Sequence, residues 1–234
     1  MEASLATLTF RHRLEFARPM VEIAVQSGRV LEEIVAQLST KFTVVASDLR
    51  VRSGPTVADH GVRVTLFNGL GTIDLTVENI ECAFKNLTSA ADLEIAVDVV
   101  ELSVRALGSV LPKLAKSAEV VIADLVYTVV GGEFDRDKFF AHSTFLGKGS
   151  SHKDVGFKFR SLASSLGDIP IGFDVSPVWL DPAALYIHVN APLGITTSES
   201  IRVRAKKLVE FIESVISSLG ITLVPVQLTR GVGT

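Results

Sequence analysis

Five histidines, one cysteine and a few charged clusters are the side chains of this 234-residue chain with which chemistry could be done. His12, His60, His142, His152 and His188 never fall at the close spacing of a helical or hairpin metal site, so a metal centre would have to be assembled from distant segments. His12 and His188 lie inside strand-like patterns, where a structural histidine is the plainer reading. Cys82 has no histidine near it in sequence, and no Gly-x-Ser-x-Gly elbow occurs, so nucleophilic catalysis has no local support. No catalytic or metal residues are assigned, and no cofactor is expected.

Three charged groups remain. Gly147-Lys148-Gly149-Ser150-Ser151-His152-Lys153 has the composition of an anion-cradling loop, but its glycines are too close together for a phosphate loop, and a solvated connection accounts for it. Glu78 with Glu81, and Asp135 with Asp137, are carboxylate pairs by sequence alone. The second pair fits a helix N-terminus, where negative charge is favourable. Arg202, Arg204, Lys206 and Lys207 are less ordinary, because cations in the first turns of a helix oppose the positive end of its dipole. They are the candidate binding residues, a docking face for an acidic partner or a phosphate. The alternative is the solvated side of an amphipathic helix.

These groups must be positioned by an aliphatic framework. The chain is 47% hydrophobic, 21% charged and formally −3 at pH 7, enough to bury a sizeable core and without overall attraction to nucleic acid or anionic lipid. A lone cysteine excludes an internal disulfide, the N-terminal residues lack the pattern of a secretory signal, and no apolar run is long enough to span a membrane. A cytoplasmic protein is expected. Asn86-Leu87-Thr88 is formally a glycosylation sequon, which would matter only after secretion.

The strongest pattern is a pair of helical apolar ladders. Leu93, Val97, Val100, Val104, Leu107 and Leu111 alternate steps of four and three, and Ile201, Ala205, Leu208, Ile212, Val215 and Leu219 repeat those steps. The expected elements are a strand over Leu8–Phe16, a short strand over Met20–Gln26 and a helix over Gly28–Leu38. Strands over Thr43–Arg52, Gly61–Phe67 and Thr72–Phe84 follow, then a long helix capped by Ser89 and Asp92. The second half is expected to run strand Val120–Val130, helix Asp135–Leu146, strands Phe157–Ala163, Ile171–Val178 and Ala184–Asn190, helix Ser198–Leu219 and a closing strand Thr222–Gln227.

The fold class expected is therefore α+β: antiparallel β-meanders, each covered by a long amphipathic helix. Residues 1–116 form one half and 117–234 the other, sharing one sheet or core. Both an internal duplication of strand, helix, three strands and long helix, and two independent amphipathic helices, fit the repeated spacing. In topology alone this arrangement resembles ligand-binding helix-grip proteins and the SecB-type chaperones. No residue motif of either is present, and topology does not transfer function.

The leading functional expectation is a non-enzymatic interaction or assembly protein working through sheet edges or helix faces, with a protein partner or self-association. The first alternative is a helix-grip-like pocket for an apolar small molecule, and the second an enzyme with a site assembled between the halves. Neither a membrane nor a nucleic-acid partner is expected.

Overall fold

A computed structural model describes residues 2–111, 118–130, 156–178, 181–192 and 201–224. Its spine is β1 (Glu2–Phe16), in which Leu8, Phe10, His12, Leu14 and Phe16 are buried while Arg11, Arg13 and Glu15 face the other way. That alternation is the period of a strand with one face covered. The strand begins earlier than its apolar pattern predicts, and it pairs antiparallel with β6 (Ala118–Val130) from Ser4 opposite Val130 to Phe16 opposite Ala118.

The sheet grows outward from this central pair. On one side the first half adds β5 (Asn79–Leu87), β4 (Gly71–Thr76), β3 (Gly61–Leu66) and β2 (Leu49–Arg52). On the other the second half adds β9 (Asp181–Pro192), β8 (Ile169–Val178) and β7 (Phe157–Ala163). Five antiparallel strands and three antiparallel strands are thus joined through β6. Beyond the point where β5 leaves β1, β10 (Thr222–Val224) pairs parallel with Glu2, Ala3 and Ser4.

Four helices are described: α1 (Val21–Val25), α2 (Ser27–Leu38), α3 (Ala90–Val110) and α4 (Ile201–Ser218). The fold is mixed α+β, and α3 lies between α2 and α4. Both ladders face inward: Val97, Val100 and Leu107 on α3, Leu111 at its C-terminal end, and Ala205, Leu208, Ile212 and Val215 on α4 are buried, with the remaining ladder residues half-buried. Ser89 Oγ accepts the Asp92 backbone N–H at 3.2 Å and Asp92 returns a bond to the Ser89 N–H, the expected capping box.

Three expectations are corrected. Met20–Gln26 contains a helix, α1, rather than a strand, because β5 and β6 already occupy both sides of β1 and leave no ladder for it to join; Ile23 is buried instead against the core. The strand expected over Thr43–Arg52 shrinks to β2, since a 3-10 turn occupies Ala46–Asp48 and Asp48 accepts the Val45 N–H. The strand expected over Thr72–Phe84 is two strands, β4 and β5. Thr76 Oγ accepts the backbone N–H groups of Glu78 and Asn79, each at 3.2 Å, and this side-chain turn folds the hairpin without glycine or proline. The expected helix over Asp135–Leu146 lies outside the described residues.

Candidate functional site

The expected cationic cluster does not form one surface. The Arg202 guanidinium ion-pairs with Asp98 and lies 3.8 Å from Glu101 Oε2, both on α3. Arg204 is buried, 5% exposed. Lys206 is exposed and stands 4.0 Å from Glu210 one turn on, and Lys207 is half-buried. An α-helix turns about 100° per residue, so Arg202 and Lys206 share a face while Arg204 points away from both. Arg202 joins two helices, and Lys206 is the member of the cluster most open to a partner.

The other titratable candidates are separated as well. Glu78 sits exposed in the β4–β5 hairpin, whereas Glu81 lies on β5 and ion-pairs with Arg11 across the sheet. His12 is sealed in the core opposite Cys82, and burial lowers its pKa to about 4. Burial pushes the Cys82 thiol up to about 12, the reverse of what a nucleophile needs. His60 Nε2 is 3.2 Å from the Gly54 carbonyl. No group of three metal-ligating side chains gathers among the described residues. Asp135, Asp137, His142 and the Gly147–Lys153 loop lie outside the described residues.

A concave apolar site occurs elsewhere, between the β3–β4 turn, the end of β5 and the first turns of α3. The turn is a tight 3-10 loop in which Phe67 and Asn68 both take left-handed backbone, φ 55° and 56°, before Gly69 at 90°. Asn68 and glycine tolerate that region, but for a bulky residue such as Phe67 it is an outlier. Lys85 donates its backbone N–H to the Leu70 carbonyl at 2.8 Å, extending the pairing past the start of β4.

One residue later β5 bulges. Leu8 is opposite Leu87 and Phe10 is opposite Phe84, so the β5 side carries one residue more than β1, and Asn86 takes φ 57° to accommodate it. Phe67, Asn68 and Asn86 are three of the four non-glycine residues with positive φ among the described residues. Local backbone strain and bulges both concentrate where a side chain or a ligand must be aimed.

The result is a half-open groove of about 340 Å³. Phe84, Leu87 and Ala96 form its buried floor, and Phe67, Leu70 and Ile95 stand around it at 38%, 45% and 39% exposure. The Phe67 ring is held edge-on by Phe42 at 5.6 Å. A Cβ on Gly71 would come within 3.0 Å of the Phe84 ring and 3.1 Å of the Phe67 ring, so the absence of a side chain there lets the two rings close together.

Lys85 and Asp92 are the two ionisable residues lining the groove. Asp92 accepts from the Thr88 N–H, the Thr88 hydroxyl and the Ser89 N–H at 2.9, 3.1 and 3.0 Å, and those bonds, the Thr88 N–H foremost, hold its carboxyl below the usual range. A carboxylate so engaged is a rigid rim rather than a proton acceptor. The groove is apolar between one cation, Lys85, and one anion, Asp92, whose carboxylate is committed to the helix cap.

Sequence reasoning passed over this site. Asn68-Gly69 was legible as a turn, but the sign of a site was that large apolar residues, Phe67 and Leu70, flank it where hairpin tips are ordinarily polar. No helix among the described residues is long and apolar enough to cross a membrane. Compared with known protein families, curated proteins and solved structures, the chain matches none.

Proposed function

We propose that this chain is a non-enzymatic interaction protein, and that the groove beside α3 receives an apolar side chain of a protein partner, either a second copy or another chain. The observation that carries this reading is the convergence of three left-handed non-glycine residues on a concavity rimmed by Phe67, Leu70 and Ile95. Exposed large apolar residues scattered singly need no explanation, but three around one groove match the anchor pockets on which partner binding concentrates. Lys85 and Asp92 on the rim suit the polar backbone and flanking charges of a peptide segment. A cytoplasmic setting belongs to this reading, since Cys82 is buried and has no second cysteine to pair with.

Light scattering over a concentration range tests it, using the wild type and an Ile95→Glu variant. Self-association through the groove raises the wild-type mass with concentration and leaves the variant monomeric. If both remain monomeric, crosslinking in the native cell decides between a different partner and none: a partner crosslinked through Leu70 in the wild type and lost in Ile95→Glu upholds the reading, and no such crosslink overturns it.

A second reading, an apolar small molecule in the same groove, draws support from its volume, at the low end of ligand-pocket sizes. Native mass spectrometry of the purified protein separates the two, since a small ligand adds a fixed mass that Ile95→Glu removes.

The repeated ladder spacing also supports reading the chain as two copies of one unit. In each half the first strand pairs with the last strand of the following meander, and a long helix comes after. The two first strands, β1 and β6, then pair with each other at the centre.

A further inference from the structure

On the sheet face away from the ladder helices, Arg11, Arg13, Arg52 and Arg63 of the first half meet carboxylates, while Arg50, directly across from Arg63, has no ion pair among the described residues. Arg63 lies directly across from Asp74 and bonds it through Nε at 3.1 Å and through a terminal nitrogen, while Arg52 reaches the other Asp74 oxygen at 2.6 Å. Arg11 meets Glu81, and Arg13 meets Glu15 at 3.0 Å. On the same face of the second half the arginine of β7 also lacks a carboxylate, and there the position across from it is empty. Arg160 on β7 lies directly across from Gly172 on β8, so the position that would carry the carboxylate carries no side chain. Arg160 has no ion pair among the described residues.

The missing side chain leaves a dish of about 380 Å³ floored by Gly172. Arg160 and Lys158 line it on the β7 side, and His188 and Asn190 on the β9 side. Lys158 is held by Asp174 at 2.7 Å, which leaves the Arg160 charge without a carboxylate of its own in the dish. We propose that this dish binds a small oxyanion, a carboxylate or phosphate group of a free molecule, which takes against Arg160 the place that Asp74 takes against Arg63. The guanidinium fork matches the paired oxygens of either group. Glycine is not required at 172 by the backbone: an added Cβ would meet nothing nearer than the Asn190 carbonyl oxygen at 3.8 Å. Relief of a clash therefore does not account for the glycine. This site is separate from the apolar groove and stands or falls independently of it.

The experiment follows the backbone N–H resonances of residues 160 and 172, present in the wild type and in both variants below, by NMR while acetate or inorganic phosphate is added at constant ionic strength, with chloride as the control. A saturable shift with acetate, phosphate or both, absent with chloride, is expected, and the two titrations tell which group is preferred. Gly172→Asp supplies an internal carboxylate and should weaken binding about tenfold or more, the scale of losing one charge-assisted pair. Arg160→Gln, at an exposed position, should do the same without disturbing the fold. Shifts that chloride reproduces, or affinity unchanged in Arg160→Gln, would overturn the assignment.

Discussion

Glu101 Oε1 accepts the backbone N–H of Arg202 at 3.0 Å, so a carboxylate from α3 caps the first turn of α4. The pairing explains how α4 carries cations where the helix dipole disfavours them. Glu101 offsets the exposed N–H groups, and Asp98, beside it on α3, takes the Arg202 guanidinium while also holding Lys41 at 2.9 Å. One acidic stretch of α3 thereby ties the segment after α2 to the start of α4.

Replacing Glu101 with Ala should destabilise the protein by about 1 kcal/mol, the usual size of a lost helix cap, and Glu101→Gln by less because the amide oxygen still accepts. Urea denaturation of both variants measures this. Added salt should narrow the gap between wild type and Glu101→Gln, since that gap is ionic. Equal losses for Gln and Ala would show that the cap geometry does not contribute.

The β3–β4 turn gives a prediction of opposite sign. Asn68 is held at φ 56°, so Asn68→Gly should be neutral to slightly stabilising, whereas Asn68→Val should lose roughly 1–2 kcal/mol because a β-branched side chain clashes in left-handed backbone. Thermal unfolding of the two variants checks the ordering. Because the turn shapes one wall of the apolar groove, Asn68→Val should also weaken whatever association Ile95→Glu abolishes.

How much of this was legible in the sequence depended on whether a signal was local. The capping box at Ser89 and Asp92, the turn at Asn68-Gly69 and both ladders were readable, since each lies within a few residues and follows a helical period or a turn chemistry. The Thr76 turn was not, because a hydroxyl accepting two N–H groups needs neither glycine nor proline and leaves an apparently continuous strand. Arg202 was identified as anomalous, yet its explanation, Glu101, lies on another helix a hundred residues away in the chain. The groove depends on a bulge at Asn86 defined by the partner strand's register, which a single strand's pattern cannot show.

The ladders make a direct test of the core. Leu107 is fully buried and Val203, between ladder positions on α4, is 43% exposed. Leu107→Ala should cost about 2–5 kcal/mol and Val203→Ala within about 0.5 kcal/mol of nothing, as chemical denaturation would read. A large loss at Val203 would mean that a further element covers that face of α4.

His12 makes the most specific demand on conditions. It stands between Phe10 and Leu14 on the covered face of β1, opposite Cys82, which in turn meets the Ser103 hydroxyl of α3. Burial there lowers its pKa from 6.5 to about 4, so the folded protein keeps the imidazole neutral where the unfolded chain would protonate it. The unfolded state therefore binds the additional proton as pH falls below 6.5, and stability drops until the folded state can bind it too, near pH 4. Across that window the loss attributable to His12 is roughly 3 kcal/mol. His12→Leu removes the titration while keeping an uncharged side chain in the core, so the wild type should lose stability relative to the variant between pH 6.5 and 4, measured by urea denaturation at each pH. The exposed carboxylates titrate alike in both proteins and cancel in the difference. A flat difference would mean that His12 is protonated as readily in the fold as outside it.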